Sequence, residues 1–202
     1  MVRRLFIIRH GNTFDKGDII RRVGLRSNLN LSESGQAQAR ALGHYFQGYA
    51  IGKIFCSELK RTCQTAKAIA VHHSDLRVEI DPRLNEIDYG SDDGKPETQV
   101  IARLGQAALE AWDTRALVPE GWPVDTVVLK QNWQVLLEAL RDANHENTLL
   151  ITSNGVARFA LPFLKYNPES LKGQKLKTGA FSEINLESRE ILRWNVRPKT
   201  RP

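Results

Sequence analysis

The stretch Leu5-Phe6-Ile7-Ile8-Arg9-His10-Gly11-Asn12-Thr13 constrains the fold more than any other part of the chain. Its apolar run, Leu5 to Ile8, ends in two β-branched residues and is too short for a buried helix, and a charged pair and a glycine end it abruptly. It reads as a buried strand that delivers Arg9 and His10 to its carboxyl end. In an open parallel sheet, ligands occupy the crevice outside the carboxyl ends of the strands, so an imidazole and a guanidinium there suggest anion chemistry. An Arg-His pair in an ordinary loop would look the same locally, and that alternative stays open here.

A chain of 202 residues fits one domain (1–202), able to bury roughly 70% of its unfolded surface. With 41% hydrophobic and 26% charged residues, it has the composition of a globular protein that needs neither disulfide nor metal to hold together. No apolar run approaches the roughly 18 residues of a membrane span, so no membrane partner is expected. Behind Met1-Val2-Arg3-Arg4 the apolar segment lasts only to Ile8, short of the roughly seven residues a signal peptide needs, and the expected location is the cytoplasm. Cys56 and Cys63 lack CxxC spacing and read as reduced thiols in or near the core.

The net charge of +6 favours anionic partners, which phosphorylated small molecules satisfy as well as nucleic acid. Part of the surplus is terminal, with Arg193, Arg197, Lys199 and Arg201 in a short tail that reads as solvated. No RNP-type aromatic pattern or helix-turn-helix signature is present, so nucleic acid is not an expected partner. A homodimer is left open.

Along the chain, strands alternate with helices. Phe14 to Asn30 reads as a long loop over the sheet edge, in which Lys16, Arg21, Arg22 and Arg26 could contact a substrate with more than one negative charge or could simply be solvated. Ser32 caps a helix with Ala37, Ala41, Leu42, Tyr45 and Phe46 on one face. Lys53 to Ser57 forms the second strand, and a helix follows from about Glu58 to Val71 with Ser57 as N-cap. Arg61 then lies in the first turn, where a cation opposes the helix dipole unless an anion binds. Arg77 to Ile80 is a third strand, whose exit places Glu86 in a loop. The segment at about 91–123, with Gln99 to Trp112 helical, reads as an excursion that caps the site and is too short for its own core. A helix over Val124 to Arg141 uses Val127, Val128, Leu136, Leu137 and Leu140 as its apolar residues. Thr148 to Thr152 is the fourth strand, Ser153 to Gly155 a turn and Val156 to Leu164 a helix, before a hairpin of Glu183 to Leu186 with Ile191 to Trp194. The pattern predicts an α/β fold of three layers, a mostly parallel central sheet with helices on both faces. Arg9 and His10, Ser57 to Arg61, Glu86, and Ser153 to Arg158 then emerge on one edge.

These motifs resemble the histidine phosphatase superfamily, which includes cofactor-dependent phosphoglycerate mutases. Arg9-His10-Gly11-Asn12-Thr13 is similar to its R-H-G nucleophile signature, and Leu31 to Ala37 to its L-[TS]-E-x-G-x-x-Q-A region, slightly shortened. Ser57 to Ala66 matches S-x-L-x-R-T-x-Q-T-A residue for residue, and Leu84 to Gly90 resembles the L-N-E-x-x-Y-G segment. R-H-G alone is weak, but all four in family order are specific. The resemblance implies a phosphoglycerate mutase-like fold and transfer of phosphoryl to His10, with Arg9 and Arg61 clamping its oxygens and Glu86 protonating the leaving alkoxide. Asn12, Thr13, Ser57, Ser153 and Asn154 are the expected substrate-binding residues, and backbone N–H groups near Ser57 would assist. No metal and no cofactor is expected. The expected partner is a small anionic phosphorylated substrate.

The departures from the pattern matter as much. Where the family carries a second histidine in V-[TS]-H-G-x-x-x-R, this chain has Ile151-Thr152-Ser153-Asn154-Gly155-Val156-Ala157-Arg158, with Ser153 at the histidine position. Pro119 to Pro123 lacks the Glu and Ser of P-x-G-E-S, and Lys16 stands where mutases have Asn. The leading expectation is a phosphatase hydrolysing a small phosphate monoester, with activity reduced by the serine. A catalytically impaired phosphate-binding regulatory domain is the alternative, and a mutase comes third.

Overall fold

The computed structural model describes residues 3–143, 145–167, 171, 173 and 175–200. Met1, Val2 and Arg201, which entered the readings of the two termini, lie outside these residues.

The apolar run near the amino terminus forms strand β1 (Arg4–Arg9), and its side chains alternate into two cores. Leu5 and Ile7 pack with residues of the carboxyl-terminal half, among them Trp133, Leu137 and Leu150. Phe6 and Ile8 face Leu42, Phe46, Ile54 and Phe181. Burial of such a side chain stabilises by roughly 1.5–3 kcal/mol, and every residue of the run is buried on one face or the other.

The remaining strands are β2 (Ile51–Cys56), β3 (Val78–Ile80), β4 (Asn147–Thr152), β5 (Phe181–Asn185) and β6 (Ile191–Val196), in the order β3-β2-β4-β1-β5-β6. The first four in that order run parallel, and β5 and β6 add an antiparallel edge. Helices α1 (Glu33–Phe46) and α2 (Lys60–Ala70) contribute to the core cluster on one face. On the other lie α3 (Glu97–Leu104), α4 (Gln106–Arg115), α5 (Thr126–Asp142) and the short α6 (Asn154–Ala157). The three-layer, mostly parallel α/β architecture expected from the sequence is the one observed.

Local differences have local causes. The single helix expected over Gln99 to Trp112 is two, because Gly105 adopts φ 79°, outside helical space, and breaks it. In α5, Val127 and Val128 are exposed and Trp133 takes the core position, its indole N–H donating to Val156 O at 2.9 Å. The helix expected over Val156 to Leu164 begins at Asn154 and tightens into a 3₁₀ turn at Arg158–Phe163, where Pro162 supplies no N–H. Cys56 and Cys63 are free thiols with Sγ atoms 3.7 Å apart.

Candidate active site

Arg9 pairs with Thr152 in the parallel register of β1 and β4, so His10 and Ser153 step off the sheet beside one another. The His10 amide donates to Thr152 O at 3.1 Å. The imidazole is buried, and its Nδ1 lies 2.7 Å from Gly11 O. A carbonyl only accepts, so Nδ1 carries the hydrogen and Nε2 keeps its lone pair. Arg61 Nε donates to that Nε2 at 3.2 Å. Burial first, and then the charges of Arg61 and Arg9, hold the His10 pKa well below its usual 6.5, so the ring is neutral near pH 7.

Arg61 is fully buried and donates Nη1 to Ser27 O at 2.7 Å and Nη2 to Gly24 O at 3.2 Å. Arg9 anchors through Nη1 to Leu176 O at 2.8 Å, while its buried Nε has no partner among the described residues. Glu86 is buried, accepting from Ile87 N at 3.0 Å and Gly155 N at 3.4 Å. Burial pushes its pKa up from 4.5, and the nearby Arg61 opposes this. A β-carbon at position 155 would collide with the Glu86 carboxyl, so the glycine there admits the acid.

A cavity of about 670 Å³ is lined in part by Arg9, His10, Asn12, Thr13, Glu86 and Asn154, whereas Arg61, predicted to clamp the phosphoryl oxygens, is buried outside its lining and meets it only through His10. Asn12 is held by Ser34, to which its Nδ2 donates at 2.9 Å, and by the Thr178 hydroxyl, which donates to its Oδ1. Asn154 Oδ1 accepts from Leu176 N at 2.9 Å.

Two expected binding residues stand apart. Ser57 does not line the cavity and is not the cap of α2; the N-cap position is Leu59. Its buried hydroxyl lies 2.6 Å from that of Thr62 and accepts from Leu59 N. The amides of Glu58 and Lys60 donate to Asn85 Oδ1 and Asn28 Oδ1, so side chains occupy the donors near Ser57 that a phosphate was expected to use. Ser153 is fully buried with no hydrogen-bond partner for its hydroxyl among the described residues, and it too is absent from the cavity lining. Tyr89, Trp112, Arg158, Lys175 and Thr178 line the cavity without having been singled out for binding. Tyr89 and Arg158 fall inside the quoted motifs, whereas nothing local to Lys175 or Thr178 marks them. Among the described residues, no group of three or more His, Cys, Asp and Glu could hold a metal ion, and no helix is long and apolar enough to cross a membrane.

A neutral buried imidazole, its Nε2 accepting from Arg61, thus stands among guanidiniums and a carboxyl at the carboxyl edge of an α/β sheet, where ligands of such folds bind. Residues 5–197 match the histidine phosphatase superfamily, branch 1, and the chain belongs to that family. Among curated proteins it is 36% identical over 105 residues to fructose-2,6-bisphosphatase TIGAR of Xenopus laevis, a match that spans 49% of this chain and 38% of that protein's length. It is 30% identical over 161 residues to the probable phosphoglycerate mutase GpmB of Proteus mirabilis, covering 76% of this chain and 70% of that protein. Among solved structures, the mycobacterial glucosyl-3-phosphoglycerate phosphatase shares the fold with a TM-score of 0.76 at 23% identity, over 98% of this chain and all of that one. A putative alpha-ribazole-5'-P phosphatase of Escherichia coli does so with a TM-score of 0.73 at 23% identity, over 99% of this chain and 98% of that one.

Proposed function

We propose that this protein is a phosphatase that hydrolyses a small phosphate monoester through a phosphohistidine on His10. The observation that carries the reading is the state of His10: a neutral ring whose Nδ1 hydrogen is committed to Gly11 O, leaving as the nucleophile the Nε2 lone pair, which at rest accepts from Arg61 Nε. On this reading Nε2 attacks phosphorus in line, the P–O bond to the leaving group breaks, and Glu86 gives that oxygen its proton. Water, its proton taken by the Glu86 carboxylate, then cleaves the P–N bond, which releases inorganic phosphate and restores both residues. The free Nε of Arg9, and the Arg61 Nε once attack by Nε2 releases its hydrogen bond to the ring, supply charge-assisted donors to the equatorial oxygens, where the negative charge of a loose transition state is spread. The raised Glu86 pKa suits a group that must hold a proton, and relatives named for phosphatase activity agree with the reading.

Segment 91–123 acts on this reading as a cap on the same domain, since α3 and α4 supply one wall of the cavity. A phosphate-binding domain without turnover is the second reading, favoured by Ser153, where the family pattern has its second histidine. Incubation with labelled para-nitrophenyl phosphate followed by a basic quench separates the two. Acid-labile, base-stable label that is absent in His10→Ala, with steady turnover, is expected. Phosphate binding with neither label nor turnover sinks the phosphatase reading.

A further inference from the structure

Cys56 is the last residue of β2 and Cys63 lies in the opening turn of α2, and the mechanism above uses neither thiol. Their spacing in the chain carries no redox signature, because a strand end, a turn and a helix start separate them. In space they are in contact. The Cys56 thiol donates to Cys63 Sγ across 3.7 Å, and the Cys63 thiol donates to Ser57 O at 3.3 Å. A disulfide bond is about 2.05 Å long, so the two sulfurs would close by roughly 1.7 Å to form one.

The segment that such a bond would close into a loop contains Arg61, whose Nε donates to His10 Nε2 at 3.2 Å. Cys56 cannot easily give way. Its strand is fixed in backbone ladders on both sides, where Cys56 pairs with Ile80 of β3 and with Ile151 of β4. The opening turn of α2 hangs on fewer bonds, from Asn28 to Lys60 N, from Asn85 to Glu58 N and between the Ser57 and Thr62 hydroxyls. Closure therefore falls on the helix. A shift of about 1 Å takes a 3.2 Å hydrogen bond beyond bonding distance, and the bonds of Arg61 to His10 and to Gly24 O both have that length.

We propose that Cys56 and Cys63 form a redox modification site: a peroxide joins them in a disulfide, which draws the opening turn of α2 toward β2, withdraws Arg61 from His10 and weakens the hold on phosphate until a thiol reductant restores it. This rests on the reading above that phosphate binds at His10, but not on turnover. Cys63, half-buried, meets the oxidant first, and Cys56 is fully buried. The Cys63 sulfur attacks one peroxide oxygen, the O–O bond breaks, and a sulfenic acid and water form. The Cys56 sulfur then attacks the Cys63 sulfur, the S–O bond breaks, and the hydroxyl leaves with the Cys56 proton as a second water. Two thiols are oxidised by two electrons and one peroxide is reduced.

The full chain, treated with hydrogen peroxide and then with an alkylating agent, tests this by intact mass, with inorganic phosphate affinity measured by calorimetry on the same samples. The oxidised protein is expected to lose both alkylatable thiols and two hydrogen atoms of mass as a monomer. Its phosphate Kd is expected to rise by about tenfold or more, the cost of losing one charge-assisted hydrogen bond, and dithiothreitol reverses both changes. Cys63→Ser and Cys63→Ala bind phosphate as the reduced protein does and keep that affinity in peroxide. Thiols that survive peroxide, a disulfide between two chains, a disulfide with unchanged phosphate affinity, or an equal loss of affinity in the Cys63 variants would each overturn the proposal. Reduced protein that binds phosphate without turning over para-nitrophenyl phosphate ends the phosphatase reading alone, whereas reduced protein that binds no phosphate ends both.

Discussion

At the scale of single residues, the proposed mechanism asks His10 to be neutral to attack and Glu86 to be protonated to donate, and burial pushes both in that direction. Burial lowers the His10 pKa from 6.5 and raises that of Glu86 from 4.5, so each shift increases the fraction of molecules in which both conditions hold. The rate for an alkyl phosphate is expected to fall on the acid side, where His10, its pKa held well below the ordinary imidazole range, gains a proton, and on the alkaline side, where Glu86, its pKa held above the ordinary carboxylate range, loses one. The alkaline limb flattens with para-nitrophenyl phosphate, whose leaving group needs no acid. Glu86→Gln lowers kcat on the alkyl ester by roughly a hundredfold and much less on the aryl ester, which parallel pH-rate profiles would reveal. Ser153 sets a second expectation, because its buried hydroxyl has no partner among the described residues. Ser153→Ala therefore changes stability by no more than about 1 kcal/mol in urea denaturation. Ser153→His, which restores the imidazole of the family pattern, raises kcat by roughly a hundredfold. An unchanged kcat in a folded Ser153→His protein would show that the serine is not what limits turnover.

Among elements, the segment proposed as a cap and the long loop depend on one another. Backbone bonds from Arg22 N to Lys95 O and from Glu97 N to Ile20 O, at 2.9 Å each, join the 14–30 loop to the start of α3. Asp92 fixes the far side of the cap: fully buried, it accepts from the Trp122 indole at 2.8 Å and pairs with Arg103. Trp122 in turn packs edge-on against Tyr89 and Trp112. Pro119 to Pro123, which lacks the Glu and Ser of the family pattern, thus serves to seat an indole. Asp92→Ala strands the indole N–H and exposes Trp122 to displacement. It is expected to cost about 1–3 kcal/mol in thermal or urea unfolding and to raise KM more than it lowers kcat, because it disturbs the outer wall rather than His10. The reverse split in steady-state kinetics would refute the role assigned to the cap.

For the whole molecule, the sheet decides which residues meet. Ile7 is 1% exposed and central in β1, and Ile7→Ala is expected to cost about 2–5 kcal/mol, measured as a shift of the urea midpoint. The sequence by itself determined what depends on short-range order: the β1 run and its abrupt end, the Ser32 cap, whose hydroxyl accepts from Gly35 N, the alternation of strands and helices, and the motifs around His10, Arg61 and Glu86. Periodicity and spacing are properties of neighbours in the chain, so they can be read there. Only the tertiary structure decided that Ser57 turns inward to Thr62, that Val127 and Val128 yield the core to Trp133, and that the loop cations Arg26 and Arg22 are held by Asp88 and Glu97. It also decided the direction in which the His10 and Glu86 pKa values move, because desolvation depends on everything packed around a group and charge pairing on distances in space, neither of which is carried by sequence order.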